Sequence, residues 1–112
     1  MLMFIIDKQK NEVYSLPAKE LSVEHAATVS SELAHKILNL LVKEPMYPID
    51  IPKSLKVPEQ KIYYHITNLE KAGIIKIVKK ETRQGATANF YALTEPAFVI
   101  KFKSFETTSK IA

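Results

Sequence analysis

A proline at position 58 and a glycine at position 73 bracket the longest helical pattern in the chain. Between them Ile62, Ile66 and Leu69 recur at spacings of three and four, the period of one buried helix face. Pro58 stands where a first turn begins and its missing amide costs nothing, and Gly73 suits the left-handed residue that closes a helix. The spacing therefore predicts a helix over Glu59 to Ala72. At about 100° per residue, Gln60, Tyr64, Thr67 and Asn68 fall opposite the apolar stripe, with Lys61 and Tyr63 flanking it. The outward face is polar, aromatic and basic.

What surrounds this helix narrows the architecture. Ser30 or Ser31 supplies an N-cap for a helix carrying Leu33, Ile37, Leu40 and Leu41, which Pro45 ends near Glu44. Pro48 and Pro52 fit a short irregular helix from about Pro48 to Leu55. A further short helix is expected over Val23 to Thr28, capped by Ser22. After Gly73, residues Ile75 to Thr82 and Ala88 to Leu93 have strand composition, separated by a glycine-bearing turn over Arg83 to Thr87.

The two ends are more apolar than this core requires. Met1 to Ile6 and Val13 to Leu16 flank a polar turn and read as a small β-hairpin over residues 1–17. Thr94-Glu95-Pro96 resembles a helix start. Phe98, Phe102 and Phe105 fit helical spacing, and Phe98, Ile100 and Phe102 also fit strict alternation; helix is the preferred reading. The expected class is α+β: one winged helix-turn-helix domain over 1–112, with its core at 30–93, an N-terminal β-hairpin, and an apolar, helical C-terminal segment at 94–112.

Charge points to a partner. The formal net charge is +4, and all of the excess lies between Met46 and Leu93, where eight basic residues face four acidic ones. That is the footprint of a module that approaches a polyanion. Chemistry by other routes has little to stand on. There is no cysteine, which excludes disulfides, thiolate metal ligands and a cysteine nucleophile. His25, His35 and His65 are too scattered for a metal site, and no glycine-rich phosphate loop or nucleophile with a positioned base is present. Neither an enzyme nor a bound cofactor is expected. The short apolar runs argue against a membrane span or signal peptide, so the cytoplasm is the expected location.

A helix fits the major groove of B-DNA, and its outward side chains reach base edges. Gln60, Lys61, Tyr63 and Tyr64 are the candidates for reading bases. Lys56, Thr67, Asn68 and the wing residues Lys79, Lys80, Arg83, Gln84 and Thr87, within a wing over 76–92, are the candidates for holding phosphates. Met3, Ile5, Phe98, Phe102 and Phe105 are the candidates for a homodimer interface. Blander roles weigh against some of these: Tyr63 and Tyr64 can pack between helix and wing, and Lys79 and Lys80 can be guards on a strand edge.

The run Val57-Pro58-Glu59-Gln60-Lys61-Ile62-Tyr63-Tyr64-His65-Ile66-Thr67-Asn68-Leu69-Glu70-Lys71-Ala72-Gly73-Ile74-Ile75, preceded by Ile37-Leu38-Asn39-Leu40-Leu41 and followed by Gly85 to Leu93, resembles the ArsR-type winged helix regulators, archaeal ones especially. The resemblance covers roughly Ser30 to Leu93. It implies a homodimeric transcriptional regulator that binds double-stranded DNA, with a recognition helix beginning near Pro58. Two departures limit what transfers. Where the family's metal sensors carry cysteines, this chain has Ile49-Asp50-Ile51-Pro52, so a metal switch through cysteine is excluded; and no arginine stands around Leu33 to His35. The alternative function is a winged helix that docks proteins within a larger assembly, motivated by the apolar ends.

Overall fold

The computed structural model describes residues 1–100, apart from the side chains of Pro52 and Ser54. They fall into two compact units: residues 27–94, and residues 1–26 together with 95–100.

The first unit is the winged helix-turn-helix. It opens on α1 (Ala26–Ser30), which the chain enters from a 3-10 turn at Val23–His25 at the end of the other unit, so the short helix expected from Val23 is a tight turn followed by barely more than one α turn. Ser22 makes no side-chain cap there and instead donates to the Glu24 carboxylate at 3.2 Å. α2 (Glu32–Lys43) begins at Ser31, whose Oγ accepts from the Ala34 amide at 3.0 Å, satisfying one of the orphan donors of the first turn. Pro45 follows its end, as expected. A second 3-10 turn at Pro48–Asp50 runs into α3 (Ile51–Leu55), the broken helix anticipated from the two prolines. Lys56 then takes a left-handed conformation (φ 57°) and turns the chain toward α4 (Glu59–Lys71).

The end of α4 shows why the glycine is there. Gly73 has φ 76°; its amide donates to the Glu70 carbonyl, and the Ile74 amide donates to the Leu69 carbonyl, each at 3.0 Å. This is the Schellman pair of bonds, and Leu69 and Ile74, which usually touch in that motif, are both fully buried. Thr94 locks the same corner. Its hydroxyl donates to the carbonyls of Gly73 and Ile74 at 2.8 and 3.1 Å, so it ties the end of the wing to the end of α4 rather than capping a helix of its own.

Ala34, Ile37 and Leu41 from α2, Ile51 from α3, and Ile62, Ile66 and Leu69 from α4 form the core with Ile74, Ile75 and Tyr91. Fully burying such an aliphatic side chain stabilises by about 1.5–3 kcal/mol, so the apolar stripes of the three helices set the geometry of everything they carry. The wing is an antiparallel hairpin of β3 (Ile75–Arg83) and β4 (Ala86–Leu93). Its turn is only Gln84-Gly85, with φ 51° and 81°, where a five-residue turn was expected. Two consecutive positive φ values are the signature of a type I′ turn, which twists in the same sense as the flanking strands. Between Ile77 and Lys79 the register slips, so Val78 is a surplus residue accommodated as a bulge. Met46 extends the hairpin by one bridge, exchanging backbone hydrogen bonds with Tyr91.

The second unit is a small sheet. β1 (Leu2–Asp7) and β2 (Glu12–Glu20) form the expected hairpin, closed by Asp7, whose carboxylate accepts from the amides of Gln9 and Lys10. β2 does not stop at Pro17. It continues to Glu20 and pairs in parallel with β5 (Ala97–Val99), giving the order β1-β2-β5. The helix preferred for the C-terminal segment is thus corrected at its start: at Ala97–Val99 the alternating pattern prevails, because the extended end of β2 offers backbone partners that a short helix would forgo. Phe102 and Phe105 lie outside the described residues.

Candidate nucleic-acid interface

With Ile62, Ile66 and Leu69 fixed in the core, the helical period alone decides what α4 presents to solvent. Gln60, Tyr64 and Thr67 are exposed along one line, Tyr64 at 66%. Lys71 completes that line four residues beyond Thr67 and is exposed as well. It was missed in the sequence because it sits next to the helix end; the spacing 60, 64, 67, 71 carried the signal. Lys61 is exposed on the flank.

The acidic residues of α4 are turned to the other flank. Glu70 accepts a 3.5 Å hydrogen bond from the Tyr91 hydroxyl of the wing, and Glu59 lies by Tyr63, whose hydroxyl pKa is raised by burial and then by the Glu59 charge. Tyr91 is likewise held above its usual value, by burial first and by Glu70, with a hydrogen bond from Asn89 opposing. Negative charge is therefore gathered on the wing side of the helix, and the Gln60 to Lys71 line carries none.

The two expected tyrosines separate. Tyr64 stands in the open with its ring edge-on to His65 at 5.4 Å, beside a cleft of about 210 Å³ shared with Ala27, Thr28, Ser31 and the half-buried Asn68. Tyr63, 43% exposed, lines a groove of about 540 Å³ whose other walls include Tyr47, Pro48, Thr87 and Asn89. Of the base-reading candidates, Gln60, Lys61 and Tyr64 share open surface, whereas Tyr63 lies in the groove beside the wing.

Antiparallel pairing fixes the faces of the wing, since residues directly opposite share a side. Lys80 pairs with Asn89 and Thr82 with Thr87, on the side of Tyr91 and hence of α4. Lys79, Glu81 and Arg83 lie on the reverse side, where Glu81 and Arg83 meet Tyr47. Tyr47 is buried, packs against Phe90 with ring centroids 4.6 Å apart and planes tilted by 54°, donates its hydroxyl to the Glu81 carboxylate and carries the Arg83 guanidinium 4.2 Å over its ring. Arg83 also pairs with Glu81 at 3.5 Å. The Tyr47 hydrogen bond holds the Glu81 carboxyl below its usual pKa, helped by the charges of Arg83 and Lys79 against some desolvation, and the same bond raises that of Tyr47.

Arg83 is thus a strut of the wing as well as a charge at its tip. The network was not anticipated, because nothing in Met46-Tyr47-Pro48 announces which strand the tyrosine will meet. Gln84 and Thr87 are exposed at the tip. Lys56, Lys61, Lys71, Lys79 and Lys80 are exposed and take part in no ion pair among the described residues; the pairs that do form there join Lys36 to Glu32, Lys53 to Asp50 and Arg83 to Glu81.

A three-helix core whose last helix, α4, has an exposed polar face, with a β-hairpin beside it, defines a winged helix-turn-helix fold. Residues 31–76 match the model of the family described as "Bacterial regulatory protein, arsR family". Similar solved structures include HlyU from Vibrio cholerae, 13% identical with a TM-score of 0.48 over 76% of this chain and 79% of that one. The transcriptional regulator HlyU from Vibrio vulnificus is 14% identical, with a TM-score of 0.48 over 76% of each chain. No curated protein matches the chain.

Proposed function

We propose that this chain is a homodimeric, sequence-specific transcriptional regulator that lays α4 in the major groove of double-stranded DNA and rests its wing on the phosphate backbone. The observation that carries the reading is the segregation of charge on α4. Gln60, Tyr64, Thr67 and Lys71 form an exposed line without a carboxylate, while Glu59 and Glu70 are turned toward Tyr63 and Tyr91. Gln60 can present both a donor and an acceptor to adenine, and Lys61, Lys71 and Lys80 neutralise phosphates without giving up an existing partner.

Lys56 and Lys79 serve as outlying cations, and Arg83 contributes its free side while bracing the wing. Thr67, Gln84 and Thr87 supply hydroxyl and amide contacts that position the module. Asn68 and Tyr63, being partly covered, order the flanks of the helix more than they read bases. The family is one of regulators, which supports a non-catalytic role. No helix among the described residues is long and apolar enough to cross a membrane, and we place the protein in the cytoplasm with its DNA.

Selection of bound duplexes from a random pool tests the proposal. An enriched inverted repeat is expected, with half-sites about 34 Å apart. Gln60→Ala relaxes the selected sequence, whereas Lys80→Ala weakens all duplexes alike. Absence of a mobility shift even at low salt overturns the reading.

A further inference from the structure

The pairing of the N-terminal hairpin determines what its outer edge offers. The Ala18 amide donates to the Met1 carbonyl at 2.8 Å, so Met1 and Ala18 form a hydrogen-bonded pair. The register then makes Met3↔Leu16, Ile5↔Tyr14 and Asp7↔Glu12 hydrogen-bonded pairs as well, and makes Leu2↔Pro17 a non-bonded one, as a proline without an amide requires. The backbone groups of Leu2, Phe4 and Ile6 therefore all point away from β2. Among the described residues no strand lies on that side, because β1 is the end of the order β1-β2-β5.

This edge lacks the usual protections. Leu2 to Ile6 contains no charge, no proline and no bulge, in contrast to β3 with its three lysines and the slip at Val78. The side chains on it are uncovered: Leu2 is 61% exposed, Phe4 67% and Ile6 69%, and Val13, which shares their face, 66%.

We infer that β1 pairs antiparallel with β1 of a second copy of this chain, about a two-fold axis at Phe4. The inference rests on the dimeric part of the function proposed above. Such an axis stands normal to the sheet and keeps its two faces distinct, so even-numbered residues must meet even-numbered ones. Centred on Phe4, Leu2 meets Ile6 of the second copy, Phe4 meets Phe4 and Ile6 meets Leu2. All six outward backbone groups of each strand are then satisfied at once. A shift by one residue in either strand sets outward-facing groups opposite inward-facing ones and forfeits the ladder.

The apolar face continues across the junction. At about 25 cal/mol per Å², the transfer energies of such side chains correspond to ~60–120 Å² each. Eight of them, about two-thirds exposed, therefore hold on the order of 500 Å² to cover. An edge contact covers only the flanks of these side chains along the seam, so even with the paired backbone it falls short of the roughly 1,000 Å² of a stable, specific interface. The dimer is accordingly a weak, dissociating one.

The absence of cysteine makes the test direct. In the full chain, Phe4→Cys introduces a single thiol whose counterpart lies about 5.5 Å away between Cα atoms, within disulfide reach. Leu2→Cys lies ~13 Å from its own copy, four residues along the strand, and beyond reach. Mild oxidation is expected to link Phe4→Cys into a covalent dimer and to leave Leu2→Cys alone unlinked. A mixture of Leu2→Cys with Ile6→Cys is expected to give the mixed dimer. Phe4→Pro removes an outward amide that β2 does not use, and light scattering should then report a monomer at concentrations where the unmodified chain dimerises. A dimer that survives Phe4→Pro, or that Phe4→Cys fails to link, overturns the edge pairing and leaves the dimeric reading standing. A chain that stays monomeric at hundreds of micromolar overturns both, while DNA binding is judged separately by mobility shift.

Discussion

Lys79 and Lys80 are adjacent in sequence but lie on opposite sides of the wing, and their effects on DNA binding should differ accordingly. Lys80 shares its side with Asn89 and Tyr91, whose hydroxyl reaches Glu70 of α4. Lys79 lies on the reverse side, where its charge acts on the Glu81 carboxylate. A phosphate contact contributes about 0.9 to the slope of log K against log salt, so if the proposed dimer places Lys80 on a phosphate in each half, Lys80→Ala should flatten that slope by about 1.8. If log K at 1 M salt is unchanged, each lost contact amounts to roughly 8-fold at 0.1 M, and the pair to roughly 60-fold. Lys79→Ala should change the slope by less than half as much. Fluorescence anisotropy with one labelled duplex, titrated at four or five salt concentrations, reads both slopes. Equal slopes for the two variants, or a larger change for Lys79→Ala, would refute the assignment of faces.

Removing the cap in Ser31→Ala should destabilise the protein by about 1 kcal/mol, which for a domain of this size lowers the Tm by roughly 4–8 °C in a calorimetric scan. Gly85→Ala meets no atom within 4 Å, so only its φ of 81° opposes the substitution; chemical denaturation should show a loss of about 1–2 kcal/mol, with the wing still formed by NMR. The depressed pKa of Glu81 stabilises the fold above the ordinary carboxylate value, and that contribution is lost as pH falls through the lowered one. Tyr47→Phe removes the first cause of the depression. A carboxyl titration of the variant should place Glu81 closer to the ordinary range, and an unchanged midpoint would count against the hydrogen bond.

The parts of the fold legible in advance were those written in local chemistry. The stripe of Ile62, Ile66 and Leu69 and the glycine at 73 located α4 to within a residue, and the serine pair at 30 and 31 marked the start of α2, with Ser31 the one that caps it. The outward face of α4 followed from its period, so Gln60, Lys61 and Tyr64 could be named without coordinates. What could not be read depends on pairing across distance. The strand at Ala97–Val99 has a pattern compatible with helix, and only the free side of β2 decides for it. The partners of Arg83 were equally hidden, since Tyr47 lies in a loop far from the wing in sequence. The turn at Gln84-Gly85 was overestimated because Ala86 and Thr87 look like loop residues until the opposing strand claims them.

The slip at Val78 and the two-residue turn are the two ends of a single choice of alignment. Were Val78 to join the ladder, every later residue of β3 would advance one step against β4. Lys79 would then face Asn89, and Arg83 would enter a three-residue turn ending in Gly85, the next most common hairpin connection. The two lysines would trade places, and Glu81 would leave Tyr47 for the side of α4. One aliphatic residue halfway up the hairpin thus works as a phase setter, deciding which charge the wing turns toward the helix.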